Sequence, residues 1–343
     1  MQQRFQGAAG LLLILAAGAR FTTQTVSTQA SGAVAQNRPA KPYTPARTPD
    51  GQPDLQGFWT NSTYTPLERP DTVTKELYTP DELAAVIKQA AQREGAQTAP
   101  GTTADVHYDF SQFGLDRSQS SFARNLRTSL IVNPENGKLP LLTEEGKKRA
   151  AESAAAARRV GRWDSAESNQ LDDRCLIMAG AGPPMLDAAY NSNYHIVQGV
   201  GHVMILTEMI HDVRVIPLDG RPQPHSNIRQ WMGISRGRWE GDTLVVETTN
   251  FNGKNPLRGS SENIRVTERF TRVADDAILY RFTVEDPSTW TRAWTAEMPM
   301  LKTTGPLFEH ACHEGNYGLY NTLVGARLEE KNAAEAAAKK GGR

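Results

Sequence analysis

The chain has no excess of charge of either sign, because 38 lysines and arginines balance 38 aspartates and glutamates among its 343 residues. A nucleic-acid-binding surface or an electrostatic membrane anchor needs clustered basic charge, so we expect neither. After Ala19 no apolar run is long enough to span a bilayer. The sequence therefore predicts no nucleic-acid partner and no stable membrane anchor once any export signal is removed.

Familiar catalytic motifs are missing as well. The chain has no HExxH, Gly-x-Ser-x-Gly, phosphate loop or dinucleotide fingerprint, which removes support for metalloprotease, α/β-hydrolase, kinase and Rossmann functions. His310, Cys312 and His313 could suit zinc, but the paired ligand spacing of zinc sites is absent. We expect no metal and no cofactor.

Cysteine is scarce, since the chain has only Cys175 and Cys312. The N-terminus bears on their state: Arg4, the apolar run at 8–19 and the small residues at 33–35 are typical of an export signal. We predict a signal peptide over 1–35, with 17–19 as an alternative cleavage site, and a periplasmic or secreted protein. A disulfide between the two cysteines is then expected, and two free buried thiols are the alternative.

The part of the chain before residue 171 has little strand character. Residues 36–57 are rich in proline and turn residues, which predicts an extended lead-in, and residues 58–170 are predicted to be rich in helices and loops. A helix over 78–94 is indicated by Thr79 as its cap, Pro80 at the first helical position and Glu82 completing a capping box. An alanine-rich helix is predicted over 144–159.

From Tyr194 onward the hydrophobic pattern has the period of strands. Short turns separate predicted strands at 194–199, 203–209, 213–217, 230–239, 243–249, 264–273, 278–284 and 290–297. Sequential strands without interleaved helices predict a mainly β fold, an antiparallel meander closing into a lipocalin-like barrel over 171–325, with the N-terminal helices and loops packed on it. A two-sheet sandwich is the alternative, and residues 326–343 are expected to form a charged helix or frayed tail.

A family resemblance is carried by five phrases that run through most of the chain after the signal. They are TPDGQPDLQGFW (48–59), RTSLIV (127–132), EMIHDVRVIPLDGRP (208–222), SRGRWEGDTLVVETTNF (235–251) and HEGNYG (313–318). These phrases resemble a large family of uncharacterised secreted proteins from soil bacteria. The resemblance implies no particular activity, cofactor or catalytic residue.

The first candidate site is built around Glu208. Strand alternation places Glu208 in an apolar row with Met204 and Leu206. Arg214 on the next strand is the expected partner, with His211 at the bend between them. We expect Glu208 and His211 to transfer protons and Arg214 to hold an anion, in one cluster that opens into the main cavity. A buried Glu208–Arg214 pair that only fixes strand register is the alternative.

Further candidates lie on neighbouring strands and on one loop. His195 is expected to face the barrel interior, although a structural histidine is the alternative, and Glu268 is expected there because it belongs to the row 264, 266, 268 and 270. Both are catalytic candidates. The candidate substrate-binding residues each carry a polar side chain that we expect near the barrel mouth. They are Tyr194, Arg214, Asp219, Arg221 and His225. An ordinary solvated Asp-Gly turn is the alternative for the loop at 218–225.

These residue types support two main functions. Two carboxylates and two histidines converging in a barrel would suit cofactor-free acid–base chemistry of a lyase, hydratase, isomerase or hydrolase type on a small organic or sugar-like molecule. The alternative is a non-catalytic periplasmic barrel that binds or carries a small molecule. A structural protein of the envelope is a third class and would have a barrel interior filled by side chains.

Overall fold

The computed structural model describes residues 43–94 and 125–341, except 160, 162, 179 and 188–191. Within them the strands are β1 (Gly57–Thr60), β2 (Ile131–Asn133), β3 (Asn193–Gly199), β4 (His202–Thr207), β5 (Val213–Pro217), β6 (Ile234–Glu240), β7 (Thr243–Thr249), β8 (Arg265–Ala274), β9 (Ala277–Glu285) and β10 (Trp294–Lys302). The α-helices are α1 (Pro80–Glu94), α2 (Glu144–Arg159) and α3 (Tyr317–Gly341). The expected signal peptide over 1–35 lies outside the described residues.

Both predicted helices form for the reasons that the sequence indicates. At the start of α1 the Glu82 carboxylate accepts a hydrogen bond from the Thr79 backbone N–H at 2.7 Å, and the Glu82 N–H donates to Thr79 Oγ1 at 3.3 Å. This reciprocal pair is the predicted capping box. Helix α2 packs through Gly146, where a Cβ atom would lie 2.6 Å from the carbonyl oxygen of Thr289. The chain therefore has glycine where α2 lies directly against the backbone at Thr289.

The strands form one sheet in the order β5-β4-β3-β1-β10-β9-β8-β7-β6, with β2 attached to β10. Every pairing is antiparallel. The sheet curls until its two end strands face each other, so the predicted mainly β fold, an antiparallel barrel with helices packed on it, is confirmed. Strand β1 lies inside the sheet between β3 and β10, so the chain before residue 171 contributes to the barrel.

The two end strands of the sheet, β5 and β6, meet at a seam without being hydrogen-bonded as strands. Nine strands lie on the path from β5 to β6, and eight antiparallel steps leave these two strands parallel to each other. At one end of the seam, side chains close the gap: a Cβ on Gly237 would lie 2.6 Å from Leu218 Cδ2 and 2.8 Å from Ile216 Cγ2. The seam is thus sealed there by packing against a glycine.

Large side chains fill the barrel interior. Strand β8 alternates as predicted, since Val266, Glu268 and Phe270 are buried and the residues between them are more exposed. Across the core, the largest fully buried rings belong to Trp59, Trp290, Trp294, Tyr194, Tyr280, Phe270 and Phe282. Burial of one phenylalanine side chain stabilises a fold by roughly 1.5–3 kcal/mol. The interior is a packed core, so the space for a ligand has to be sought at the edges.

Two segments cover one end of the barrel, and we call residues 180–187 the plug and residues 303–312 the strap. The plug inserts Met185, whose backbone N–H donates to the Tyr280 hydroxyl at 2.9 Å. The predicted disulfide is confirmed: Cys175, just before the plug, is bonded to Cys312 at the end of the strap. The bond ties together the two segments that cover this end. Within the described residues, no helix is long and apolar enough to cross a membrane.

Some predicted element boundaries are wrong. The strand expected at 230–239 begins only at Ile234, because the chain turns at Gly233 with φ of 66°. The strand expected at 290–297 begins at Trp294, because the backbone N–H groups of Thr289 and Trp290 donate to the carbonyl oxygen of Asp286 in a turn. Of the segment expected at 326–343, residues 326–341 belong to a helix that starts earlier, at Tyr317, and the last two residues lie outside the described part of the chain.

Candidate functional site

An ion pair sits in the centre of the barrel, between Arg214 on β5 and Glu268 on β8. The two guanidinium terminal nitrogens lie 3.1 and 2.5 Å from the two carboxylate oxygens, and the side chains are 2% and 0% exposed. The Tyr280 hydroxyl donates to the same carboxylate at 2.7 Å. Burial is the largest single effect on the pKa of Arg214 and lowers it, but the charge and hydrogen bond of Glu268, together with the nearby tyrosines Tyr280 and Tyr194, raise this pKa overall. Burial also raises the pKa of Tyr280, followed by the effect of the Glu268 charge.

The expected partnership of Glu208 with Arg214 is wrong. Strand β4 ends at Thr207, so Glu208 lies in the turn that follows and the strand alternation no longer applies to it. Its carboxylate accepts hydrogen bonds from Asn193 Nδ2 at 2.6 Å and from the backbone N–H of Phe308 at 3.0 Å. Glu208 is therefore buried under the strap and anchors it to the barrel.

His211 lies near Glu208 but faces outward. It is exposed, and its Nδ1 atom lies 3.3 Å from the carbonyl oxygen of His310 in the strap. Ile210 and His211 have φ angles of 56° and 47°, which is uncommon for any residue other than glycine and a marked outlier for a β-branched one. Such strain is often found at functional turns. Glu208 and His211 thus lie together in a strained turn that contacts the strap, whereas Arg214 belongs to the barrel interior.

The expectation that His195 faces the interior is also wrong. On β3 the buried residues are Tyr194 and Ile196, and His195 lies on the outer face, stacked on Phe58 with ring centroids 4.2 Å apart. Alternation separated the two faces of β3 correctly, but the inward face is that of Tyr194 and Ile196 and not that of His195. Tyr194 is buried in the core, where burial raises the pKa of its hydroxyl.

The loop candidates are satisfied by their own neighbours. Arg221 forms an exposed ion pair with Asp219, and hydrogen bonding from Arg221 lowers the pKa of that carboxyl. His225 Nδ1 lies 2.9 Å from Asn227 Oδ1, and Asn250 Nδ2 donates to the His225 carbonyl at 3.0 Å. The structure does not bring these side chains together with Arg214 and Glu268. They hold the long connection between β5 and β6 in place.

A groove of about 350 Å³ opens along the seam between β5 and β6. We call it the seam groove, and its lining residues are Val213, Arg214, Val215, Pro217, Gln230, Met232, Gly233, Ile234, Ser235 and Arg236. Arg214 Nε is a buried donor with no hydrogen-bond partner, although both terminal nitrogens of the same guanidinium are bonded. Most buried donors are paired, so this unpaired N–H marks the groove as a candidate binding site.

Ser235 and Arg236 belong to this site and were not predicted from the sequence. Ser235 Oγ lies 3.4 Å from an Arg214 terminal nitrogen and 2.9 Å from Thr248 Oγ1. Arg236 donates to the carbonyl oxygens of Ser235 and Pro222. One signal in the sequence could have drawn attention here: Ser235 and Gly237 are small residues at alternate positions of a strand, which indicates close approach of a neighbouring chain segment.

Asp187 in the plug is a second group that the sequence did not single out. Burial raises its pKa to about 6, although hydrogen bonds from the Ser192 hydroxyl and the Thr63 N–H favour the charged form. A carboxyl group with such a pKa can exchange protons near neutral pH. It does not line the seam groove.

Among the described residues, no group of three or more histidine, cysteine, aspartate or glutamate side chains is arranged to hold a metal ion. Cys312 is committed to the disulfide and cannot act as a thiolate ligand. No family model, curated protein or solved structure matches this chain.

Proposed function

We propose that the protein binds a small molecule in the seam groove, as a binding or carrier barrel. The observation that carries this proposal is the unpaired Arg214 Nε donor beside a groove of about 350 Å³. Small-molecule sites typically have volumes of ~300–1,000 Å³, so the groove is large enough for a compact ligand. A buried donor without a partner costs roughly 1–3 kcal/mol, and an acceptor atom of a ligand would remove that cost.

Binding is better supported than turnover, because acid–base catalysis needs a group with a pKa near neutrality in contact with the substrate. The described residues that line the groove include no aspartate, glutamate, histidine, cysteine, lysine or tyrosine. Glu268 lies behind Arg214, and its carboxylate is held by Arg214 and Tyr280. The groove therefore supplies hydrogen bonds, positive charge and apolar surface rather than a proton-transfer group.

Cofactor-free acid–base catalysis on a small organic or sugar-like molecule is a second candidate function. One observation favours it: burial raises the pKa of Asp187 to about 6. Incubation of the purified protein with a metabolite mixture, followed by mass spectrometry, tests this candidate. Turnover that is lost on Asp187→Asn, with the fold retained, would establish catalysis, and the absence of any mass change would remove it.

The proposal includes export to the periplasm or the medium. The Cys175–Cys312 disulfide supports it, because disulfides persist mainly in oxidising compartments. The N-terminal sequence of protein recovered from the periplasm and the medium tests this part. We expect a mature chain that starts close to residue 36, and a chain that keeps residues 1–35 inside the cytoplasm would contradict it.

Binding can be tested by screening a library of small metabolites with saturation-transfer NMR. Val215 lines the groove and is exposed, so Val215→Trp should fill the groove and abolish binding. Val200→Trp is the matched control, because Val200 lies in the exposed turn between β3 and β4 and does not line the groove. Ligands that bind equally to the native protein and to Val215→Trp would place the binding site elsewhere.

A further inference from the structure

We propose that the ligand of the seam groove is a small organic acid, with a carboxylate held by Arg236 and Arg214 Nε and an apolar body against β5. This inference rests on the proposed binding function and names the chemical class of its ligand. Two arginines and no aspartate or glutamate of the described residues line the groove, and only Arg214 of the two is paired with a carboxylate, which sets the expected sign of the ligand charge.

The positive charge available to a ligand comes from Arg236. The charge of Arg214 is balanced by Glu268, whereas no carboxylate of the described residues lies within ion-pairing distance of Arg236. Its cross-strand neighbour Glu247 is bound to Arg265 at 3.2 Å. Arg236 is half-buried and donates only to two backbone carbonyls, so its guanidinium keeps free donors. An arginine of this kind is suited to a carboxylate, which it binds through planar paired hydrogen bonds.

A second donor for the same carboxylate comes from Arg214. Both of its terminal nitrogens are bonded to Glu268, which fixes the guanidinium plane and leaves Nε as the one nitrogen of the group without a partner. Arg214 reaches the seam from the barrel interior, where one of its terminal nitrogens lies 3.4 Å from Ser235 Oγ on β6. Arg236 follows Ser235 on β6 and therefore lines the groove from the outer face of the strand. A carboxylate that enters the unbonded seam would meet Arg236 from the outer face and could place one oxygen on the buried Arg214 Nε donor.

The rest of the ligand would contact apolar surface. The groove wall includes Val213 and Val215 on β5, which are 49% and 54% exposed, and Met232 and Ile234 on the other side. Contact with a hydrocarbon or aromatic body would remove these side chains from water, which is favourable in proportion to the apolar area covered. A doubly charged or strongly hydrated ligand would leave this surface exposed. The site therefore favours a monoanion with an apolar body.

Isothermal titration calorimetry with two matched pairs of probes tests the inference. The probes are benzoate against benzamide and octanoate against octanamide, because each pair differs in charge and keeps its apolar body. We expect the acid of at least one pair to bind on the order of tenfold more tightly than its amide, as a charge-assisted contact does relative to a neutral one. Higher ionic strength should weaken binding of the acid and leave binding of the amide unchanged.

Variants of two neighbouring arginines identify the residue responsible. Arg236→Gln should reduce the affinity for the acid on the order of tenfold, and by a clearly larger factor than the affinity for the amide, because only the acid loses a charge-assisted contact. Arg238→Gln is the matched control, because Arg238 lies on the same strand, is 59% exposed and pairs with Glu240. This control should leave both affinities unchanged. Equal effects of the two substitutions would show nonspecific attraction and overturn the assignment to Arg236.

The outcomes separate this inference from the function on which it rests. If acid and amide bind equally and both are lost in Val215→Trp, the groove is a binding site but not one for carboxylates. If no probe binds and the metabolite screen also finds no ligand, the proposed function fails together with the inference.

Discussion

Removal of the charge on Glu268 tests the most unusual feature of the core. Glu268→Gln keeps the side-chain volume and an acceptor for the Tyr280 hydroxyl, but leaves the Arg214 guanidinium without a counter-charge. Both side chains are almost fully buried, so bulk water screens the remaining Arg214 charge only weakly. Breaking a buried ion pair on one side typically costs ~3–5 kcal/mol, and we expect Glu268→Gln to lower the free energy of unfolding by about that amount.

Urea denaturation followed by tryptophan fluorescence measures this loss, because Trp290 and Trp294 are buried in the same core. The double variant Arg214→Met with Glu268→Gln removes both charges and should be more stable than Glu268→Gln alone. Arg221→Gln breaks an exposed pair and should leave the unfolding midpoint unchanged. A Glu268→Gln variant that loses less than about 1 kcal/mol, or a double variant less stable than the single one, would refute the reasoning.

Three further outcomes follow from the structure. The pKa of the Asp187 carboxyl is raised from 3.8 to about 6, so its protonation stabilises the fold fully below pH 3.8, and this stabilisation is lost as the pH rises through 6. The free energy of unfolding, measured by urea denaturation, should therefore fall between pH 4 and 7, and Asp187→Asn should reduce that fall by up to roughly 3 kcal/mol. Thiol titration of the unreduced, denatured protein should find no free sulfhydryl, and replacing Cys175 and Cys312 by serine should cost up to ~5 kcal/mol, because the bond closes a loop of 137 residues. Gly237→Ala should cost ~1–3 kcal/mol by pushing Ile216 and Leu218 off the seam, whereas Gly315→Ala, which meets no atom within 4 Å, should be neutral by the same unfolding assay.

Much of the barrel was predictable because its signals are local. Alternating hydrophobic residues in the sequence identified the strands and placed Glu268 inside correctly, and the capping box located the start of α1. The same rule failed at Glu208, because the strand ends one residue earlier, at Thr207. It failed at His195 because alternation separates the two faces of a strand without saying which one turns inward. Tyr194 and Ile196 form the more apolar face of β3, and that face packs into the core.

The partners across the barrel were not predictable from local patterns. Arg214 and Glu268 lie on strands that are not neighbours in the sheet, so their contact depends on how the whole sheet closes. The seam groove has the same origin, since it lies between the two end strands, which meet without hydrogen bonding when the sheet curls. The hydrophobic pattern of a sequence identifies each strand, but it does not show which two strands will meet when the sheet closes.

The central claim, that the seam groove binds a ligand through Arg214 Nε, can be tested by NMR of the arginine side chains. Titration with whichever of benzoate and benzamide binds, followed at the ¹⁵N-labelled Nε–H resonances, reports on the donor itself. We predict a saturable shift of the Arg214 resonance with the same affinity as calorimetry gives, and no shift for the exposed Arg238. Saturable binding that leaves the Arg214 resonance unmoved would contradict the claim.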